Sequence, residues 1–530
     1  MNYPTKKIRA IFFGESWPRQ WFGILGLIIL FVSLRWNNFD SPLTRDEGEY
    51  AYAAQLLAHG LAPYEHAFIQ KPPMVFYSYA FADFFLPHVF WAPRLLAGVF
   101  TALATILLGY IARLEFGKGF ALPVMWLVTP LLLLPEIEQF TANTEMFMLL
   151  PLLATVAVYC HSRQHGHLPK HWFAAGFLAA TTLLYKYTAL PVLLFIFVIW
   201  SAELWCHGKK FNFFSRCWFS AFLGGSAAAV LILGFFLRQD GGARFWECTV
   251  LFNHYYAASS NFRLAAFWSR IGEFWSAWWI LFLVPLAIFW QPKPRVWFWI
   301  GIFFCALLAT GASAYGHYYL IVMPFWALLS AAGIGVLAKN IARWLPGLDR
   351  FIFFTIAAFV VFLELKPDLP WLLCTREHFA EAKMSGWSPF LESPLVAKRI
   401  DELSSPDDTV FIAGSEPQIL CYAQRFSASR FITAYPLMIP TPVALGYQRE
   451  AIEDLRQHPP ALIVSVQLST SWLRQESSPL DFFAFLNRFL KQNYEPVGGY
   501  VPDGDKSRWS EPLTDEESAN ASVVLFRRKK

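Results

Sequence analysis

Apolar residues run along this chain in long blocks, separated by short charged or proline-bearing turns. Blocks near 20–36, 93–112, 119–135, 144–160, 172–185, 188–205, 218–237, 275–290, 296–312, 318–338 and 351–365 approach the roughly 20 apolar residues a helix needs to cross a bilayer. The pattern predicts about eleven spans. The fifth and sixth blocks are short and nearly continuous, so they form a tight hairpin or a single bent element. Between the first two blocks, residues 37–92 are too polar to span and too aromatic for a plain linker. Within them Glu49 to His59 predicts a short helix with Tyr50, Ala53, Ala54 and Leu57 on one face, ended by Gly60 and Pro63. Met74 to Phe90 is aromatic and nearly uncharged, which suits a membrane interface.

From residue 366 the pattern changes to apolar runs of strand length. Thr409 to Gly414, Ala461 to Val466 and Ser522 to Arg527 predict strands, and Glu416 to Gln424 and Asp481 to Gln492 predict helices. The fold class expected is a polytopic α-helical membrane protein with a C-terminal α/β domain. Its division is 1–365 for the transmembrane part and 366–530 for the α/β part, and about 160 residues suffice for one core. Ala413-Gly414-Ser415 is not a dinucleotide fingerprint.

Composition agrees: 56% of residues are hydrophobic and 15% charged, with a mean hydropathy of +0.38, against about a quarter charged in soluble domains. The distribution of basic residues orients the chain. With Lys6, Lys7 and Arg9 inside, the inner loops are Arg113 to Lys118, Arg163 to Lys170, Lys209 to Arg216, Lys293 to Arg295 and Lys339 to Arg343, all short and basic. The outer loops then hold the acidic clusters, and the residues after 366 lie outside the cytoplasm. No basic block interleaved with aromatics occurs in a polar region, so no nucleic-acid partner is expected. The seven cysteines show no metal-binding spacing; Cys374 and Cys421 could pair in an oxidising compartment. No cleavable signal or internal repeat is read.

The chemistry-bearing residues gather in the outer loops. Asp46, Glu47 and Glu49 follow the first apolar block with almost no linker. Their bland reading is favourable charge at a helix start. Their functional reading is a general base held at the membrane surface, with Asp46 and Glu49 three residues apart on one helix face. Lys71 precedes Pro72-Pro73, which force extended backbone on it and so aim its ammonium; it suits a phosphate or simply snorkels. Glu145 opens an otherwise apolar span and is a functional candidate by default. Glu136 and Glu138 read as loop solvation. Lys186 breaks an apolar run and is a second outer cation or a topology marker. His317, Tyr318 and Tyr319 could donate to phosphate oxygens or belong to an aromatic belt. The loop 238–273 adds Arg244, Asn253, His254, Tyr255, Tyr256 and Arg263 without a diagnostic spacing. Carboxylates beside cations and phenols on one membrane face suit transfer from a phosphorylated lipid, with the cations stabilising the departing phosphate.

Asp46-Glu47 with Tyr50-Ala51, then Lys71-Pro72-Pro73, then Asn143-Thr144-Glu145, then Gly176 with Lys186 ten residues on, then His317-Tyr318-Tyr319 leading to Pro324, resembles the GT-C membrane glycosyltransferases. Within these the chain is similar to the protein-mannosyltransferase-like group, glycosyltransferase family 39 and its relatives, which includes the lipid A aminoarabinose and rhizobial galacturonosyl transferases. The resemblance covers roughly residues 20–340. It implies transfer of a sugar, with inversion, from a polyprenyl-phosphate-sugar donor to a lipid, glycan or protein acceptor at the outer face of a bacterial inner membrane. It implies Asp46 as catalytic carboxylate with Glu47 beside it, Lys71 and Tyr318 or Tyr319 on the donor phosphate, and Glu145 near the sugar or acceptor. Glu49 stands where the aminoarabinose transferases have an arginine, so Lys186 or Arg45 is expected to supply that charge. No cofactor is required by these motifs. A divalent metal held by some of Asp46, Glu49, Glu145, His254 and His317 stays open. The competing readings are a flippase for lipid-linked sugars, which calls for charges at the bilayer midplane and repeated spans, and an oligosaccharide ligase or polymerase built on outer-loop arginines such as Arg244, Arg263 and Arg270.

Overall fold

The computed structural model describes residues 17–134, 140–238, 241–259, 264–311, 315–386, 388–503 and 506–529. Glu136, Glu138 and Arg263 lie outside the described residues. The chain forms two compact units. The first comprises Met1–Phe39, Arg94–Ile232 and Phe262–Cys374; the second comprises Asp40–Pro93, Leu233–Asn261 and Thr375–Lys530. The sequence division at 365/366 therefore differs from the packing, which draws the first polar loop and the segment 233–261 together with the C-terminal residues.

In the first unit, each apolar block lies in a helix. These are Trp17–Ser33, Ala92–Phe116, Ala121–Leu133, Thr144–His165, Pro169–Tyr185, Leu190–Cys206, Phe211–Arg238, Leu264–Leu283 with its 3-10 extension Val284–Trp290, Pro294–Ala309, Met323–Ala342 and Asp349–Leu365. Among the described residues, six helical segments are long and apolar enough to cross a membrane: Ala92–Phe116, Thr144–His165, Tyr187–Cys206, Phe211–Phe236, Ala265–Trp290 and Met323–Ala342. The protein is a multi-pass membrane protein with six clear candidate spans, and shorter apolar helices beside them. At Lys186 the backbone turns extended (φ −159°, ψ 126°), and Pro191 lies in the first turn of the next helix. The fifth and sixth blocks are thus two elements, not one bent one.

At the basic-loop ends of these helices, four charges meet. Glu115 accepts from Arg295, Arg163 lies 2.8 Å from Glu203, and Trp299 Nε1 donates to Glu115 over 3.2 Å. Tyr159 donates to Glu203 over 3.0 Å. Ion pairing at this end satisfies charges that the surrounding apolar helices cannot.

In the second unit, the helix after the first span runs Arg45–Ala58, starting four residues ahead of the expected start. Thr44 is its N-cap, and Glu47 accepts from the Thr44 N–H (3.0 Å) and hydroxyl (3.1 Å), the reciprocal cap that Ser/Thr-x-x-Glu sequences allow. Gly60, at φ +73°, follows the end of the helix. Tyr50, Ala53 and Ala54 are buried as expected, but Tyr52 and Leu56 are buried too, and Leu57 only partly. The helix Met74–Phe85 buries Val75, Phe76 and Tyr79 and leaves Phe81, Phe84 and Phe85 more than half exposed.

The C-terminal residues build a five-stranded mixed sheet: β1 (Val410–Ala413), β2 (Leu462–Val466), β3 (Tyr494–Asp503), β4 (Lys506–Ser510) and β5 (Val523–Arg528), in the order β1-β2-β5-β3-β4. β1 and β2 are parallel; the other pairs are antiparallel. β3 and β4 were not expected from the sequence. Tyr494–Asp503 contains two prolines and two glycines, which normally argue against a strand. Here a Cβ on Gly498 would stand 2.4 Å from the Trp509 ring, so glycine is what lets the hairpin close. Four charges lock this unit across three chain segments. Arg430 donates to Glu450 (2.7 and 2.9 Å) and Glu247 (2.9 Å), and Arg244 donates to Glu247 (2.9 Å). Both Cys374 and Cys421 are free thiols, so the suggested disulfide does not form. Cys421 is buried with its Sγ 3.2 Å from the Gly48 carbonyl oxygen.

Gly48 itself lies against backbone. A Cβ on Gly48 would lie 2.4 Å from Gln418 N and 2.8 Å from its Cα, and backbone atoms cannot give way. Gly48→Ala is expected to cost at least about 1–3 kcal/mol, read as a lowered thermal midpoint of the purified protein in detergent. An unchanged midpoint would show that the helix can dock in another way.

Candidate active site

Two clusters of functional side chains result, one in each unit. In the second unit, the first turn of Arg45–Ala58 presents Asp46 and Glu49 on one side and Arg45 on another. Arg45 is committed: its Nε donates to Ser415 O (2.6 Å), and its Nη2 to Glu416 (3.2 Å) and Thr470 O (3.3 Å). Glu416 is fully buried and also accepts from Ser471 (2.6 Å) and Ser388 (3.2 Å). With these donors the buried carboxylate has its hydrogen-bonding needs met. Arg45 therefore serves as a tie to the strand–helix turn after β1, through partners some 370 positions away in sequence.

Glu47 is likewise held in the helix cap and is fully buried. Asp46 is partly exposed and accepts no hydrogen bond from the described residues. Glu49 is buried, and burial first, then the Asp46 charge, pushes its pKa up to about 8. Lys71, Tyr435 and Arg45 oppose that shift. Lys71 is itself buried; its carbonyl accepts from the Tyr64 hydroxyl over 2.8 Å, which with Pro72-Pro73 fixes the backbone beneath the ammonium. Burial, and then the neighbouring Glu49 and Asp46, hold the Tyr435 hydroxyl protonated. The result is one buried acid with a raised pKa, and a more exposed carboxylate and a buried lysine that both act on it.

Tyr435 and Glu416 were not singled out from sequence. Tyr435 sits in Ala434-Tyr435-Pro436-Leu437, which carries no motif, and only the tertiary fold brings it to Glu49. Arg244 and Asn253 are structural: Arg244 joins the ion network, and Asn253 Nδ2 donates to Gln70 O and Thr249 O, each over 2.8 Å.

In the first unit, Glu145 occupies the first turn of Thr144–His165, after the N-cap Asn143. It is ion-paired with Lys186, both side chains being less than a tenth exposed. His317 Nε2 lies 4.0 Å from the same Glu145 oxygen. The Lys186 ammonium stands 3.3 Å from the centroid of the Tyr318 ring, a cation–π contact in a desolvated place. Tyr318 is edge-on to His317 at 4.9 Å. Thr144 donates to the Tyr185 carbonyl over 3.0 Å, which joins the two helix ends bearing Glu145 and Lys186. Four expected residues thus converge: Glu145, Lys186, His317 and Tyr318. Tyr319 does not join them. It is buried against Phe274 at 5.1 Å. Among the described residues, no three His, Cys, Asp or Glu side chains are grouped so as to hold a metal ion.

Residues 70–223 match the family described as dolichyl-phosphate-mannose-protein mannosyltransferase, a match that begins one residue before Lys71. No curated protein matches the chain. Among solved structures, the chain is similar to ArnT from Cupriavidus metallidurans bound to undecaprenyl phosphate, at 13% identity and a TM-score of 0.60, over 96% of this chain and 98% of that one. The apo state of ArnT gives 12% identity and 0.58, over 95% and 96%. An oligosaccharyltransferase of Archaeoglobus fulgidus, tethered to an acceptor peptide containing an NVT sequon, gives 12% and 0.51, over 97% of this chain and 77% of that one. At such identities the likeness is one of fold, and the fold is that of the GT-C membrane glycosyltransferases.

Two outcomes test the clusters. Because Glu49 titrates near 8 when folded and near 4.5 when unfolded, the unfolded state loses this proton first. Stability therefore falls as pH rises from about 4.5 to 8. Glu49→Gln should remove this component, so its thermal midpoint should gain on the wild type as pH rises through that window. A constant difference across the window would place the titration elsewhere. Lys186→Met strands the buried Glu145 charge and should cost about 3–5 kcal/mol. Adding Glu145→Gln should recover much of that loss in the same melt.

Proposed function

We propose that this protein is a glycosyltransferase. It moves a sugar from a polyprenyl-phosphate-sugar donor to a hydroxyl of a lipid, glycan or protein acceptor, with inversion, at the outer face of a bacterial inner membrane. The observation that carries the reading is the grouping of Asp46, Glu49 and Lys71 in a protein of GT-C fold. The orientation rests on the basic inner loops.

In this reading Asp46 is the general base. It takes the proton of the acceptor hydroxyl as that oxygen attacks the anomeric carbon, and the bond from that carbon to the donor phosphate oxygen breaks with its electron pair going to the phosphate. Lys71 faces the charge that develops there. Glu49 keeps its own proton, so it neither competes as a base nor neutralises Lys71. Glu47 and Arg45 have structural duties at the helix start and are not assigned to the reaction. Lys186, Glu145, His317 and Tyr318 form a second set of polar contacts for the sugar or acceptor. Because Lys186 is already paired with Glu145, that set carries less net charge than its lysine suggests.

Native mass spectrometry of the purified protein and of lipid extracts tests this directly. Asp46→Asn should slow transfer at least about 100-fold and leave a polyprenyl-phosphate sugar bound or accumulated. Glu49→Gln should retain most activity, since an amide resembles the protonated acid. Failure of either form to bind such a lipid would remove the donor from the proposal.

A further inference from the structure

Beside the candidate catalytic residues, the second unit contains a separate open cleft of about 400 Å³ whose lining no part of the proposed reaction uses. Its lining includes Asp40, Ser41, His88, Phe90, Trp91 and Tyr422. Its volume falls in the ~300–1,000 Å³ range of small-molecule sites.

We propose that this cleft binds a neutral carbohydrate, the glycan portion of the acceptor. The identification as acceptor rests on the glycosyl-transfer reading; the identification as a carbohydrate site does not. The chemistry is that of sugar recognition. A pyranose presents an apolar C–H face and a rim of hydroxyls, and it needs an aromatic face beside fixed donors and acceptors. Trp91 is 36% exposed. Phe90 and Tyr422 meet edge to face at 4.5 Å and 66°, which makes a rigid aromatic corner. The Tyr422 hydroxyl accepts the Leu43 N–H over 2.8 Å, so its position is set by backbone. Asp40 pairs with Arg376 over 2.7 Å while its side chain stays 40% exposed, so the carboxylate is oriented and still open to solvent.

Two observations favour a built site over a surface crevice. His88 adopts a left-handed φ of 59°, uncommon for a residue with a side chain, and its N–H is held by Asp83 Oδ1 at 3.0 Å. The strain turns the Pro87-His88 bend so that His88, Phe90 and Trp91 face one space. The one carboxylate of the lining, Asp40, is already paired with Arg376, and the lining itself adds neither lysine nor arginine, so the cleft presents no surplus positive charge for a phosphate and suits a neutral sugar. Asp40-Ser41-Pro42 lead within a few residues into the acidic helix, so a glycan held here is tethered close in chain to the turn bearing Asp46.

Saturation-transfer NMR of the full chain in lipid nanodiscs, with cellobiose, maltose, chitobiose and glucose 1-phosphate as probes, tests this. At least one neutral disaccharide should bind, and Trp91→Ala should weaken it by about tenfold or more. Ser41→Trp, which fills the cleft and leaves Trp91 in place, should weaken it equally and guards against misfolding of the first variant. Asp46→Asn should leave binding intact while transfer is lost, so failure of the transfer reading and failure of the cleft are separable. The proposal is overturned if no neutral disaccharide binds the wild type, if glucose 1-phosphate binds more tightly than all of them, or if binding survives both cleft variants.

Discussion

The absence of one side chain, at Gly48, governs the unit that carries Asp46, Glu49 and Lys71. With no Cβ, the first turn of the acidic helix lies directly against the backbone of Gln418. That approach lets Arg45 reach Ser415, Glu416 and Thr470, and lets Tyr52 accept the Ser427 N–H over 2.8 Å. It also seals Glu49 from water beside Tyr435. The raised pKa of Glu49 is therefore a consequence of helix docking, and only secondarily of the neighbouring carboxylate. Packing comes first, then desolvation, then the raised pKa of the buried acid.

The two clusters solve the problem of buried charge differently. In the first unit, Glu145 and Lys186 neutralise one another, with Tyr318 and His317 completing the surroundings. In the second, burial is met by raising the pKa of Glu49, which Lys71, Tyr435 and Arg45 only partly oppose.

Much of this was legible in the sequence. The long apolar blocks announced their helices, because burial in lipid or protein leaves a continuous signal. Asp46, Lys71, Glu145 and Lys186 stood out because charges beside or within apolar segments are costly without a purpose. What stayed hidden depends on distant residues. Glu47 and Arg45 looked like their neighbours, yet one caps a helix and the other ties to Glu416. Tyr435 has no local pattern at all. The β3–β4 hairpin was missed because Pro496, Gly498, Gly499 and Pro502 read as loop, whereas the two glycines make room for the Trp509 ring and the Val523 carbonyl. Tyr319 shared a motif with Tyr318, but in a 3-10 turn adjacent side chains diverge, and only Tyr318 reaches Lys186.

The separation of Arg45 from Ser415 by 370 positions has a bearing on biogenesis. A ribosome makes the acidic helix early and the residues that bury it near the end of synthesis. Until residues 415–435 have been made, Glu49 has no Tyr435 beside it, and the helix start lacks its tie to Glu416. The carboxyl groups remain ordinary solvated acids through most of translation, and the chain acquires its distinctive protonation pattern only when its last third arrives.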